Sequence, residues 1–111
     1  TVCKVGTGFT DENLEEMQGR LNPYRSDAKP INLDSLLEAE VWFDPIVVME
    51  VLGDEITASP MHLAAFGEIR KDAGLAIRFP RFTRWREDKS ADEVTQVGEI
   101  LDMYNAQLKT L

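Results

Sequence analysis

The stretch Gly74–Lys89, Gly-Leu-Ala-Ile-Arg-Phe-Pro-Arg-Phe-Thr-Arg-Trp-Arg-Glu-Asp-Lys, constrains the chain more than any other. Leu75, Ile77 and Phe79 alternate with Ala76 and Arg78, the period of a half-buried strand. Pro80 has no backbone N–H to give a ladder, so it interrupts that strand. Beyond it Phe82, Arg84 and Arg86 share one parity, while Thr83 and Trp85 share the other. An extended chain here puts Arg84 and Arg86 on a common face. From Arg78 to Lys89 there are five basic residues against two acidic ones. That is +3 in a chain of net charge −8, so the remainder carries −11. Such a reversal of sign calls for an anionic partner. The aromatics between the arginines (Phe79, Phe82, Trp85) point to a nucleic acid or nucleotide. The acidic remainder does not exclude it, because phosphate affinity is set by the local patch.

At 111 residues the chain reads as one domain, and 43% hydrophobic residues are enough for a core. Cys3 is the one cysteine, so no internal disulfide forms, which suits a reducing compartment. It reads as a small buried residue. No apolar run approaches the roughly 18 residues of a membrane helix, and no signal peptide is recognisable. Thr1-Val-Cys-Lys-Val5 reads as the middle of a strand, so the chain is expected to be a piece of something longer.

Gly6-Thr-Gly8 ends that run. Thr10 is the expected N-cap of a helix whose first turn carries Asp11 and Glu12, where the helix dipole favours negative charge. Leu14, Met17 and Leu21 give it an apolar face, and Pro23 stops it. Residues 22–34 read as a surface loop. Residues 33–41 fit a helical turn or the approach to a strand. Trp42-Phe-Asp-Pro45 reads as a turn with two aromatics plugging one end of the core. Ile46–Leu52 is β-branched and mostly apolar, a strand. Gly53-Asp54 marks a turn, Glu55–Ala58 a short strand, and Met61–Phe66 a single helical turn. Ser90-Ala-Asp-Glu93 has the form of a capping box opening a last helix, striped by Val94, Val97, Leu101, Tyr104 and Leu108. The order β, α, β, β, β, β, α predicts an α+β fold, mainly β, with a small barrel as its core. His62 has no second ligand at metal spacing. The acidic cluster Asp11, Glu12, Glu15 and Glu16 reads as a solvated helix face.

Arg78-Phe-Pro-Arg-Phe-Thr-Arg-Trp-Arg-Glu-Asp-Lys89 closely resembles the last motif of archaeal and eukaryotic ATP-dependent DNA ligases, an arginine-rich strand ending in Arg-x-Asp-Lys. Three further stretches match that family in order: Cys3–Glu12, Trp42–Pro45 followed by Val51, and Glu55–Pro60. The resemblance implies the C-terminal oligonucleotide-binding (OB) fold of a DNA ligase, a small Greek-key barrel with a C-terminal helix. It implies that residues 1–111 lack the first two strands of that barrel, leaving unpaired edges. The nucleophilic lysine of the family lies in a Lys-x-Asp-Gly motif of an upstream domain. None occurs in these 111 residues, so this segment is expected to be inactive alone.

Carried over residue by residue, the resemblance gives Arg86 and Lys89 contacts to pyrophosphate during lysine adenylation. It gives Asp88 an orienting role and Arg84 a weaker place in that set, and it counts Arg84 among the DNA-binding residues as well. Arg78 and Phe79 would enter the minor groove beside a nick, with Arg81 an accessory backbone contact. ATP and Mg2+ would be cofactors held mainly by the absent catalytic domain. The implied partners are nicked duplex DNA, the upstream adenylation domain and, through the parent enzyme, a sliding clamp. The location would be cytoplasmic in an archaeon and nuclear in a eukaryote. From the residues alone, Phe79 shares parity with core positions, Phe82 suits core or groove, and Trp85 suits the core. One alternative is a free-standing single-strand binder that stacks bases on Phe79, Phe82 and Trp85. Another is the equivalent domain of an RNA ligase or capping enzyme.

Overall fold

A computed structural model describes residues 1–109. The elements are α1 (Asp11–Leu21), β1 (Arg25–Ser26), β2 (Trp42–Phe43), β3 (Met49–Leu52), β4 (Glu55–Ser59), β5 (Gly74–Arg78), β6 (Arg81–Trp85) and α2 (Val97–Lys109). One-turn 3₁₀ segments follow α1 at Asn22–Tyr24 and precede α2 at Ala91–Glu93.

The centre is one long antiparallel pair bent at its middle. β3 pairs with β6 and β4 with β5. Leu52 lies opposite Arg81 and Glu55 opposite Arg78, so both ladders keep a single register across the corner. Gly53-Asp54 and Phe79-Pro80 face each other there. The missing N–H of Pro80 costs nothing at a place where the ladder is already open. The Asp54 N–H donates to the Arg78 carbonyl at 3.0 Å and closes the bend. Gly53 is required, since a Cβ there would lie 2.1 Å from the Ile77 methyl carbon Cγ2.

The β4–β5 half of the bent pair is covered by α2, and the β3–β6 half by the segment that carries Phe9, with α1 reaching it through Arg20. On β4–β5, Leu75 is fully buried and clusters with Ile56, Ala65 and Ile100, flanked by Val2, Ile77, Leu101 and Tyr104. Gln107 of α2 pairs with the backbone of Ile56 as another strand would. Its Nε2 donates to the carbonyl and its Oε1 accepts from the N–H, both at 2.8 Å. On β3–β6, Phe82 stacks against Phe9 at 4.4 Å between centroids and meets Trp85 at 4.9 Å. Gly8, at φ +89°, lets the chain pass over β6, where a Cβ would stand 2.4 Å from the Phe82 carbonyl oxygen.

The α+β class holds, and the arrangement is that of an OB-fold-like domain, with no closed barrel among the described residues. Several local expectations change. Val2–Val5 forms no ladder strand. That segment runs beside the bent pair through single bonds, such as Ile77 N–H to the Val2 carbonyl, and a parallel bridge from Thr7 to Arg81. Residues 61–66 form turns without a helix. Trp42–Phe43 is a short strand paired with β1. The capping box at Ser90 is real, but it caps the 3₁₀ turn. Val94 then turns extended at ψ 164°, and α2 starts at Val97. Its inner face is accordingly Ile100, Leu101, Tyr104 and Gln107, while Val97 and Leu108 are exposed.

Candidate polyphosphate and nucleic-acid surfaces

A bulge in β6 sets the geometry of the arginine motif. The register shifts between Glu50 and Val51, so that Val51 faces Phe82 but Glu50 faces Arg84. Thr83 is the extra residue. Bulges displace side-chain parity, and here both Phe82 and Trp85 come to the inner face although three apart in sequence. The simple alternation expected from the sequence is therefore broken. Phe82 belongs to the core, only 3% exposed, and Trp85 packs behind it.

Four charged groups meet at the end of the ladder. Arg86 extends the β3 pairing through its N–H to the Val48 carbonyl at 2.9 Å. Its Nε and Nη2 donate to the two carboxylate oxygens of Asp88, both at 2.9 Å, a bidentate fork. Its Nη1 donates to Glu50 Oε1 at 3.2 Å. Arg84 approaches the same carboxylate at 3.5 Å, and the Thr83 hydroxyl donates to Glu50 Oε2 at 2.6 Å. The hydrogen bond from Arg86 is the chief reason the Asp88 carboxyl lies well below its usual range. Glu50 is lowered chiefly by the Thr83 hydroxyl, then by Arg84. Asp88 in turn pushes the Arg86 guanidinium up.

Two carboxylates thus offset two guanidiniums. Three of the five guanidinium N–H donors of Arg86 are spent, and two remain for a ligand. Lys89 closes the turn through its N–H to the Arg86 carbonyl at 3.2 Å, and its ammonium makes no ion pair among the described residues. The motif is therefore locally close to neutral, with Lys89 as its unpaired cation.

Helix α1 reaches the same turn. Arg20 pairs with Glu87, pairs with Glu16 at 3.3 Å, and lies 5.1 Å from the centroid of the Trp85 ring. Arg20, Trp85, Arg86 and Lys89 line an open cleft of about 290 Å³. Arg20 Nε and Trp85 Nε1 are buried without a hydrogen-bond partner among the described residues. Glu87 lines the cleft too and is paired with Arg20, so what the cleft offers a polyphosphate chain is the Lys89 ammonium and the two unspent N–H donors of Arg86. The cleft does not suit a metal. Glu50 and Asp88 are committed to guanidiniums, and no grouping of three or more His, Cys, Asp or Glu converges among the described residues.

The depressed carboxyls have a checkable consequence. A carboxylate whose pKa falls on folding lends stability that is complete above its unfolded value and is lost as pH drops through the folded one. The Glu50–Arg86–Asp88 group should then keep its charges unchanged from about pH 5 to 8. A carboxyl-carbon NMR titration should find Asp88 still ionised at a pH where a free aspartyl peptide is half protonated. Titration together with the free peptide would disprove the fork.

The other end of β6 is the corner. Phe79 is 69% exposed at φ +54°, where a bulky L-residue is strained. Its parity with Leu75 and Ile77 suggested a core position, but the left-handed backbone turns it outward. Arg81 staples the corner, with Nη1 donating to the Phe79 carbonyl at 3.1 Å and Nη2 to Asp54 at 3.0 Å. Arg78 is exposed and donates to the Thr57 hydroxyl, with no ion pair among the described residues. Lys4, Thr7, Phe79 and Arg81 line a shallow open depression. Arg84, Arg86, Asp88 and Lys89 therefore gather at one end of β6, and Arg78, Phe79 and Arg81 at the other. The nearest members, Arg81 and Arg84, stand three positions apart, roughly 10 Å of extended chain, and Arg81 and Arg86 five, roughly 16 Å.

Glu50, Thr83, Arg20 and Lys4 were not singled out from the sequence. Glu50 was visible as the one charge inside the apolar strand stretch Ile46–Leu52. Arg20 carried no signal, being an ordinary basic residue in a helical last turn.

Architecture and site together define an OB-fold-like α+β domain with paired arginines and an unpaired lysine at one strand end and a solvent-facing aromatic corner at the other. The family described as the C-terminal region of ATP-dependent DNA ligases matches residues 1–89. A DNA ligase of Thermoplasma volcanium is 52% identical over 112 aligned residues, covering 100% of this chain and 19% of that protein. One from Saccharolobus solfataricus is 49% identical over 109 residues, covering 98% and 18%. One from Hyperthermus butylicus is 47% identical over 111 residues, covering 100% and 18%. The chain belongs to this DNA ligase family and spans less than a fifth of the length of these curated relatives. No helix among the described residues is long and apolar enough to cross a membrane.

Proposed function

We propose that the parent enzyme is an ATP-dependent DNA ligase that seals nicks in duplex DNA, and that residues 1–111 are part of its C-terminal OB domain. The domain serves the enzyme with two surfaces. The observation that carries this reading is the division of the arginine motif between the two ends of β6. At the ladder end, Arg86 and Lys89 hold the pyrophosphate end of ATP while an upstream lysine is adenylated. Asp88 holds the planar Arg86 fork in one orientation, and Arg84 adds charge beside it. ATP supplies the adenylyl group, and the motif steadies the departing phosphates. The carboxylates here do not fit Mg2+, so the metal is left to the adenylation domain. Archaeal relatives favour a cytoplasmic enzyme over a nuclear one.

At the corner, Phe79 and Arg78 enter the minor groove beside the nick. An exposed aromatic can wedge against sugars or a base step, and a cation there meets phosphates or the negative groove. Backbone contacts carry no base information, so no sequence preference is expected. The single-strand binder loses ground on the same geometry. Phe82 is buried and Trp85 lies beside Arg20, which leaves Phe79 alone as a stacking platform. The RNA ligase and capping alternatives are weakened by relatives named DNA ligase.

The corner is tested in the parent enzyme by nicked-duplex binding. Arg78→Ala should flatten the log–log salt dependence of affinity by about one unit. Phe79→Gly should weaken binding by roughly tenfold, the loss typical of an anchoring aromatic. It should not destabilise the fold, because glycine relieves the left-handed strain. Unchanged slope and affinity would sink the groove assignment. A large loss of stability in Phe79→Gly would show that the residue serves the fold instead.

A further inference from the structure

Two guanidiniums side by side repel one another. Arg84 and Arg86 stay together at the end of β6 because a third residue lies between them. Glu50 faces Arg84 across the ladder, takes a bond from Arg86 Nη1 at 3.2 Å, and is itself fixed by the Thr83 hydroxyl at 2.6 Å. The bulge at Thr83 is what brings all three donors to one carboxylate. Asp88 sits on the other side of the Arg86 guanidinium and lies within the motif, whereas Glu50 comes from β3, more than thirty residues upstream. Glu50 therefore ties the orientation of Arg86 to the rigid ladder and not only to its own turn.

We propose that Glu50 is a positioning residue for adenylation: it holds Arg84 and Arg86 in one fixed arrangement so that incoming phosphate oxygens meet an aimed pair. This rests on the polyphosphate role given to Arg86 above. Glu50 touches no substrate and acts through the guanidiniums. Removing it frees two long side chains to separate, and their ordering must then be done by the ligand. The carboxylate also opposes phosphate electrostatically, so its presence weakens ground-state attraction. The effect of its loss should therefore fall on the adenylation rate, with the KM for ATP unchanged or lower.

The test is a double-mutant cycle in the full-length ligase, read by single-turnover self-adenylation. Glu50→Ala should slow adenylation about tenfold, the worth of a lost charge-assisted hydrogen bond. Glu50→Gln keeps an acceptor oxygen and should recover part of that rate. On an Arg86→Ala background, Glu50→Ala should add little, because it has lost the group it acts through. Sealing of a pre-adenylated nick should be spared in Glu50→Ala, which a general loss of fold would not allow.

If Arg86→Ala slows adenylation while Glu50→Ala does not, the positioning role is wrong and the function of Arg86 stands. If the two losses simply multiply, Glu50 is not acting through Arg86 and the proposal fails. If Arg86→Ala itself leaves adenylation unchanged, the polyphosphate reading falls and takes this inference with it. Equal loss in adenylation and in sealing by Glu50→Ala assigns the residue to the fold and overturns the proposal.

Discussion

Lys89→Ala in the full-length ligase should slow self-adenylation by about a hundredfold, the loss seen when one donor to a developing anion is removed. Lys89 is the cleanest probe of the ladder end because its ammonium makes no ion pair among the described residues. Its removal breaks no ion pair among the described residues, and takes away only a minor charge influence on the Glu93 carboxyl. Arg86→Ala should cost at least as much, but for two reasons at once. It removes the fork and leaves Glu50 and Asp88 facing each other without the cation between them. Arg86→Lys should fall in between, since an ammonium keeps the charge but cannot bond both Asp88 oxygens and Glu50 in one plane. Sealing of pre-adenylated DNA involves no pyrophosphate and should be largely spared in Lys89→Ala. Equal losses in both assays would contradict the assignment.

The second large effect concerns the fold that carries the motif. Phe82→Ala should destabilise the domain by about 3–5 kcal/mol, the usual cost of emptying a buried aromatic site. A total of roughly 5–15 kcal/mol for a domain makes that a large fraction. The ring is 3% exposed and stacks on Phe9, and Trp85 packs against it. Its loss should loosen the bulge and with it the register of Glu50 against Arg84. Hydrogen exchange in the parent enzyme would report this locally. The amides of Phe82 and Arg86, bonded to the Thr7 and Val48 carbonyls, should exchange at least a hundredfold faster. Unchanged protection would mean that the aromatic stack does not hold β6 in place.

Where chemistry is local, the sequence was readable. Thr10 caps α1 as expected, with Asn13 completing the box, because cap and helix lie within four residues. Strands also stand on either side of Pro80 as expected, but neither keeps the expected alternation: Ala76 is buried with Leu75, and the bulge at Thr83 breaks β6. What failed was set by distant partners. The bulge at Thr83 exists because β6 pairs with β3, and no alternation within β6 announces it. The left-handed turn at Phe79 belongs to the corner shared with Gly53-Asp54. A strand-period count pointed Phe79 inward for that reason. The capping box at Ser90 was read correctly as chemistry and wrongly as the start of α2, since an extended Val94 follows it. Of the site, the basic residues were legible as a run. Their division between two ends of one strand, and the carboxylate that holds two of them together, needed the pairing.

The most direct test sets the two ends of β6 against each other in one enzyme. Lys89→Ala and Phe79→Gly should be measured side by side, for self-adenylation and for binding of a nicked duplex. The expected result is a crossed pattern. Lys89→Ala slows adenylation and leaves nick affinity near that of the parent, while Phe79→Gly weakens nick binding and leaves adenylation intact. If both variants lose both activities in equal measure, the motif acts as one surface and the division proposed for it is wrong.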